Sequence, residues 1–189
     1  MVIGAVAALI WVGAATADPG ISIFRGGRVR SPDGRWTLKV HAADLDAGQM
    51  SAPVWLIGPK GYRRRLMAAE RYVTVRWLPA IGKLVLLEQT IHFNRIAVFT
   101  LGARDTYRPD RIEKQIEADL RRHGRSLQTV ENRTIVFGRE GGSCVLVEES
   151  GLPPGKAEGS FLTRRAAYRI DFSSGSVQRI ARCPGASIE

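Results

Sequence analysis

Over most of the chain, apolar and polar side chains alternate with period two, the signature of strands that bury one face and wet the other. Trp36-Thr37-Leu38-Lys39-Val40-His41, Tyr72-Val73-Thr74-Val75-Arg76-Trp77 and Ala167-Tyr168-Arg169-Ile170-Asp171-Phe172 show it most clearly. Shorter apolar runs at Val54–Ile57, Ile96–Leu101, Thr134–Phe137 and Ser143–Val147 predict further strands. Tyr62–Leu66 reads as an outer strand, and Ser176–Ile180 closes a hairpin after the Ser173-Ser174-Gly175 turn. Lys83-Leu84-Val85-Leu86-Leu87 does not alternate, and an unbroken apolar run of that length predicts burial on both faces. One segment changes period. Ile112, Ile116 and Leu120 recur every four residues, with Pro109 and Asp110 at the start and Arg121, Arg122 and His123 before Gly124. That pattern predicts a single amphipathic helix over 109–123. The expected fold is mainly β, an antiparallel meander of about ten strands with one helix.

The turn before the first clear strand is well specified. In "VRSPDGRWTLKV", Pro32 presets φ, Asp33 can bond back to the backbone and Gly34 tolerates positive φ. The stretches "SPDGRWTLKV", "VRWLPAIGKLVLL" and "AAYRIDFSSGSVQRI" resemble pieces of β-propeller blades of the TolB and prolyl-oligopeptidase types. The first two are similar to an inner turn and strand, the third to an outer blade hairpin. The resemblance implies three blade-like units at most, whereas a propeller needs at least four blades of four strands. A sandwich, an open barrel and a truncated propeller-like stack all remain open.

The first residues depart from all of this. Val2–Ala17 is apolar or small throughout and ends in Ala15-Thr16-Ala17 before Asp18, the pattern of a cleavable secretory signal. No Lys or Arg precedes the apolar run, so an uncleaved N-terminal anchor is the competing reading. Sixteen residues are short of the roughly 20 a membrane span requires. The expected organisation is a leader at 1–17 followed by one mainly-β domain at 18–189, placed in the periplasm or secreted. In that setting Cys144 and Cys183, the only cysteines, read as one disulfide tying the C-terminal strand to an inner one. Two buried thiols are the alternative.

The remaining composition bears on chemistry. Lys and Arg number 28 against 18 Asp and Glu, a formal charge of +10. There is no G-x-S-x-G, H-E-x-x-H or P-loop, and "GPKGYRRR" has the wrong spacing for a phosphate loop. His41, His92 and His123 stand apart from one another, and Asp44 and Asp46 lack the later ligands of a Ca²⁺ loop. Glu148 and Glu149 are adjacent on a strand, so they point to opposite faces and cannot form a dyad. Neither metal nor cofactor is expected. Asn132-Arg133-Thr134 is a formal glycosylation sequon, meaningful only in a eukaryotic secretory pathway. Trp36, Trp55 and Trp77 read as core, with an aromatic binding surface as the alternative.

The basic residues cluster at Arg63-Arg64-Arg65, with further pairs at Arg121-Arg122 and Arg164-Arg165. On a strand, Arg63 and Arg65 share one face and Arg64 takes the other. Such charges either protect sheet edges or meet an anionic partner, an acidic protein or an anionic envelope component. Nucleic acid is disfavoured because aromatic side chains do not interleave with the Arg run. Membrane contact is expected only through an uncleaved leader. The expected role is therefore an exported, non-enzymatic binding protein of the inhibitor, immunity or assembly-factor kind, using Arg63, Arg64, Arg65, Arg121 and Arg122. A small hydrolase built from Glu88, His92 and Asp171, or a structural domain completed by oligomerisation, are the alternatives.

Overall fold

The computed structural model describes residues 21–24, 27–41, 51–70, 72–90, 92–102, 110–124, 126–138, 143–155 and 160–188. The leader, the acidic loop at Asp44 and Asp46, and Pro109 lie outside the described residues. In chain order the elements are β1 (Ile21–Phe24), β2 (Arg28–Arg30), β3 (Thr37–Val40), β4 (Ala52–Ile57), β5 (Arg63–Ala69), β6 (Tyr72–Leu78), β7 (Lys83–Gln89) and β8 (Asn94–Thr100). Helix α1 (Asp110–His123) follows, then β9 (Thr129–Phe137), β10 (Cys144–Leu152), β11 (Leu162–Asp171) and β12 (Ser176–Ile180). The two strands that periodicity did not predict, β1 and β2, have four and three residues, too few to show a period.

The strands form three four-stranded antiparallel sheets: β2-β3-β4-β5, β1-β6-β7-β8 and β12-β11-β10-β9. No barrel closes among the described residues; the sheets stack as layers, with the β6–β8 sheet in the middle. Its alternation is complete on both sides. Val73, Val75, Trp77, Leu84, Leu86, Ala97 and Phe99 pack with Leu38, Val54 and Leu56 of the first sheet. Val85, Leu87 and Ile96 face the other way, into a second core with Ile135, Val145, Val147, Tyr168 and Ile170 of the third sheet. The unbroken apolar run of β7 therefore has the doubly buried position its sequence implied. Ile112, Ile116 and Leu120 of α1 complete the second core.

The Ser31–Gly34 turn forms as its residues dictate. Gly34 has φ +67°, its N–H donates to Ser31 O, and the Ser31 hydroxyl accepts from Trp36 N–H. Trp36 then packs edge-on to Tyr62, ring centroids 5.3 Å apart, directly over Gly58.

Polar groups lock α1 in place. Gln115 donates to Gly175 O at 2.9 Å, and Glu113 accepts the Ile96 N–H of β8 at 2.8 Å. Asp119 receives the Tyr168 hydroxyl and the Arg179 guanidinium from the third sheet, and pairs with His123 at the helix end. Glu149, fully buried on β10, lies between its cross-strand neighbours Arg133 and Arg164. Arg133 Nε reaches its Oε1 at 2.7 Å and Arg164 Nε its Oε2 at 2.8 Å, while Arg164 Nη1 donates to the Leu120 carbonyl near the helix end. Glu148 faces outward and pairs with the exposed Arg165. The two adjacent glutamates thus do take opposite faces.

Cys144 and Cys183 form a disulfide, tying the segment after β12 to β10, an inner strand of its sheet. The pair packs with Ala167, Leu146, Ile180 and Ala186 over the outer side of the third sheet.

Two stability results follow. Glu149→Ala leaves two guanidinium groups short of their carboxylate, and urea unfolding should show a loss of about 3–5 kcal/mol, against less than about 1 kcal/mol for Glu148→Ala; equal losses would refute the contrast. The bridge spans 39 positions, so a Cys144→Ser/Cys183→Ser chain should lose about 4 kcal/mol on the chain-entropy account, checked by denaturant midpoint with and without reductant.

Candidate anion-binding face

The first sheet turns one side to the middle sheet and the other to water. Burial alternates strictly along β2, β3 and β4, so Val29, Leu38, Val40, Val54 and Leu56 point inward. The strand register then arranges the outward residues in two cross-strand rows. Arg28, Lys39, Trp55 and Arg65 make one; Arg30, Thr37, Ile57 and Arg63 make the other. Five of these eight side chains are cationic and none is acidic. None of the five forms an ion pair with a described carboxylate. The Arg63 guanidinium lies 4.5 Å from the centroid of the Trp55 ring, a cation–π contact that fixes both side chains. Directly opposed like charges, as at Arg28 and Lys39, repel across an antiparallel pair, so the face carries an electrostatic cost that an anion would relieve.

Arg28, Lys39, Trp55 and Arg63 line a cavity of about 330 Å³ in this face, with Thr37, Ile57 and His41 completing it. Burial first, then the charges of Lys39, Arg63 and Arg28, hold the His41 imidazole below its ordinary value. Two other cavities are less suited to an anion. One, near Ser126–Gln128, includes the Glu117 carboxylate, which already pairs with Arg121. The other is bounded by Lys83, Arg111 and the Ser173–Gly175 turn, but the Ser173 and Ser174 hydroxyls are committed to Asp171 and Lys83 to Thr100.

The basic residues singled out by sequence are therefore divided. Arg63 and Arg65 lie on the bare face, and Arg64, cross-strand from the inward Leu56, takes the opposite side. Arg121 and Arg122 end the helix, in the layer beyond the middle sheet, and do not join them. Arg164 and Arg165 are matched by Glu149 and Glu148. Trp36 and Trp77 belong to the first core as expected, whereas Trp55 is an outward residue. Sequence reading missed Arg28, Arg30 and Lys39; Lys39 is aligned by the β3–β4–β5 register, and Arg28 and Arg30 by that of the unpredicted β2.

The dispersed trio is not assembled. Glu88 is buried in β7 and accepts the Glu70 N–H, while the exposed His92 ring turns to Asn132 on β9. Asp171 caps its own turn through Ser173 and Ser174, and those bonds hold its carboxyl at about 2. That turn borders the Lys83 end of β7, five residues and about 16 Å of strand from Glu88. Among the described residues, no group of three or more His, Cys, Asp or Glu side chains is placed to hold a metal ion.

No protein-family model matches the sequence, and no curated protein matches it. A crystal structure of TolB from Acinetobacter baumannii is similar over 82% of this chain and 32% of that one, at 11% identity and a TM-score of 0.37. The chain spans about a third of that protein's length. A likeness at that level assigns neither family nor function.

Burial raises the carboxyls of Glu113 and Glu88 above their ordinary value of 4.5. The folded chain then holds the Glu113 proton more tightly than the unfolded chain, so stability falls as pH rises from 4.5 through the folded value. Glu113→Gln keeps an acceptor for Ile96 and removes the titration, while Glu88 titrates in both proteins. The stability of wild type relative to the variant should therefore decline as pH increases across that window. Urea midpoints measured from about pH 4 to about pH 7 decide it, and a constant difference would count against the burial of Glu113.

Proposed function

We propose that the protein is exported and binds an acidic macromolecule of the cell envelope through the outward face of the β2–β5 sheet, without catalysing a reaction. The observation that carries this reading is the double row of five cations around Trp55 with no carboxylate among them. Edge protection would explain Arg28 and Arg30 on β2, and Arg63 and Arg65 on β5, because both strands are edges. It does not explain Lys39. That residue lies on the interior strand β3, where no edge needs guarding. A basic face of this kind suits an acidic surface, with charge steering the encounter and Trp55 and Ile57 supplying apolar contact. Export is supported by the apolar run at Val2–Ala17 and by the disulfide, which persists in oxidising compartments.

The test is co-sedimentation of the full chain with washed envelope membranes. Binding should fall steeply as ionic strength rises from about 0.01 to about 1 M, where the screening length drops from ~30 to ~3 Å. A Lys39→Gln/Arg63→Gln/Arg65→Gln chain should lose the salt-sensitive fraction while its urea midpoint holds or rises, the repulsion across the face being relieved. Both proteins share the N-terminal segment, so the difference reports the face alone. Salt-insensitive binding, or equal binding by the variant, would overturn the reading.

A further inference from the structure

The cavity in the basic face is more selective than the face as a whole. Cations reach it from three strands, Arg28 from β2, Lys39 from β3 and Arg63 from β5, and β4 gives it an apolar floor at Trp55 and Ile57. His41, one residue beyond β3, closes one side. The backbone of His41 is anchored, its N–H donating to Pro53 O at 3.1 Å. Its ring Nε2 is buried and has no hydrogen-bond partner among the described residues. A ring nitrogen taken out of water and left unpaired is costly, and a ligand that engages it recovers the lost hydrogen bond.

We infer that this cavity is a binding site for a phosphate monoester, held by Arg28, Lys39 and Arg63 with a hydrogen bond from His41 Nε2–H. The inference rests on the anionic-partner reading of the face and narrows it to one chemistry. Three converging cations exceed the single charge of a carboxylate. They match a phosphate monoester, which carries close to two negative charges and three strong acceptor oxygens. The guanidinium forks of Arg28 and Arg63 fit phosphate edges in pairs of hydrogen bonds, and the Lys39 ammonium adds a point charge. Trp55 and Ile57 border the organic group that bears the ester.

His41 makes the site proton-linked. Arg28 faces it from β2, Lys39 from its own strand and Arg63 from β5; β4 brings Trp55, Ile57 and the Pro53 carbonyl, none of which titrates. In the free protein, burial and that field of cations hold the imidazole below its ordinary value. A bound dianion reverses the field and favours imidazolium. By linkage, occupancy raises the proton affinity of His41, and binding takes up protons as pH falls toward the bound-state value.

The experiment follows the His41 ring by NMR, assigned by its loss in His41→Gln, while inorganic phosphate is titrated into the full chain. The expected result is saturable binding with the His41 titration midpoint moved upward, on the order of a tenfold gain in proton affinity. Lys39→Gln and Arg63→Gln should each weaken phosphate binding by about tenfold or more. His41→Gln should weaken phosphate binding and abolish its dependence on the His41 proton. Vesicles of phosphatidylcholine with and without phosphatidic acid separate the two sources. Phosphatidic acid binding that inorganic phosphate displaces identifies a lipid headgroup, and phosphate binding without vesicle binding identifies a soluble ester; either supports the site. A His41 titration unmoved at tens of millimolar phosphate overturns it. Salt-sensitive envelope binding with a silent His41 removes the phosphate site and leaves the acidic-partner reading standing. Phosphate binding without envelope binding does the reverse.

Discussion

Along β7, Leu84 and Leu86 enter one core while Val85 and Leu87 enter another, so the middle sheet meets water on neither face. Antiparallel sheets more often keep one side wet. Here the run from Leu84 to Leu87 would be ruinous unless covered twice, and both neighbouring layers are placed by that demand. The first sheet supplies Leu38, Val54 and Leu56 on one side; the third sheet and α1 supply the other. Each outer sheet has therefore spent one apolar face on the middle layer and keeps a second face for other purposes.

The two interfaces around the middle sheet are built differently. The first core is almost wholly apolar, with Trp36 wedged over Gly58. The second includes a helix, whose backbone ends and polar flank must be accommodated, and charged groups do this work. Arg76 on β6 crosses the layer, its guanidinium 4.3 Å from the Phe137 ring centroid and Nη2 donating to Gly138 O. Glu149 holds Arg164 against the helix's Leu120 carbonyl, and Glu113 takes the Ile96 N–H of β8. Buried ion pairs add little net stability against apolar substitutes. Here the charged groups tie α1 to the strands on both sides, through Arg164 of β11 and the Glu113 contact to β8.

Much of the architecture was legible because period-two and period-four patterns are local. The helix was read as 109–123 and forms at Asp110–His123, and the doubly buried β7 was visible in five consecutive letters. The run at Val54–Ile57 was harder, since Trp in an apolar stretch suggests core; strict alternation instead puts Val54 and Leu56 inside and leaves Trp55 and Ile57 outside. What the sequence concealed was long-range pairing. Asp119 meets Tyr168 and Arg179, 49 and 60 positions away, and no local rule brings them together. The basic face was hidden for the same reason: Arg63 and Arg65 announced themselves as a run, but Lys39 became their neighbour only through the β3–β4–β5 register, and Arg28 and Arg30 only through that of a three-residue strand.

The disulfide also marks a difference between the two ends of the stack. On the third sheet, the bridge covers a patch of the outward side at Ala167, with Ile180 and Ala186 beside Cys144 and Cys183, while Thr163, Arg165 and Arg169 of β11 stay exposed. The first sheet has no counterpart among the described residues. The two ends therefore differ in charge: the third sheet's outward Arg165 is matched by Glu148, while the first sheet's rows carry five cations and no carboxylate. A second copy approaching the first sheet with its own would set five cations against five, so like charge opposes that one pairing.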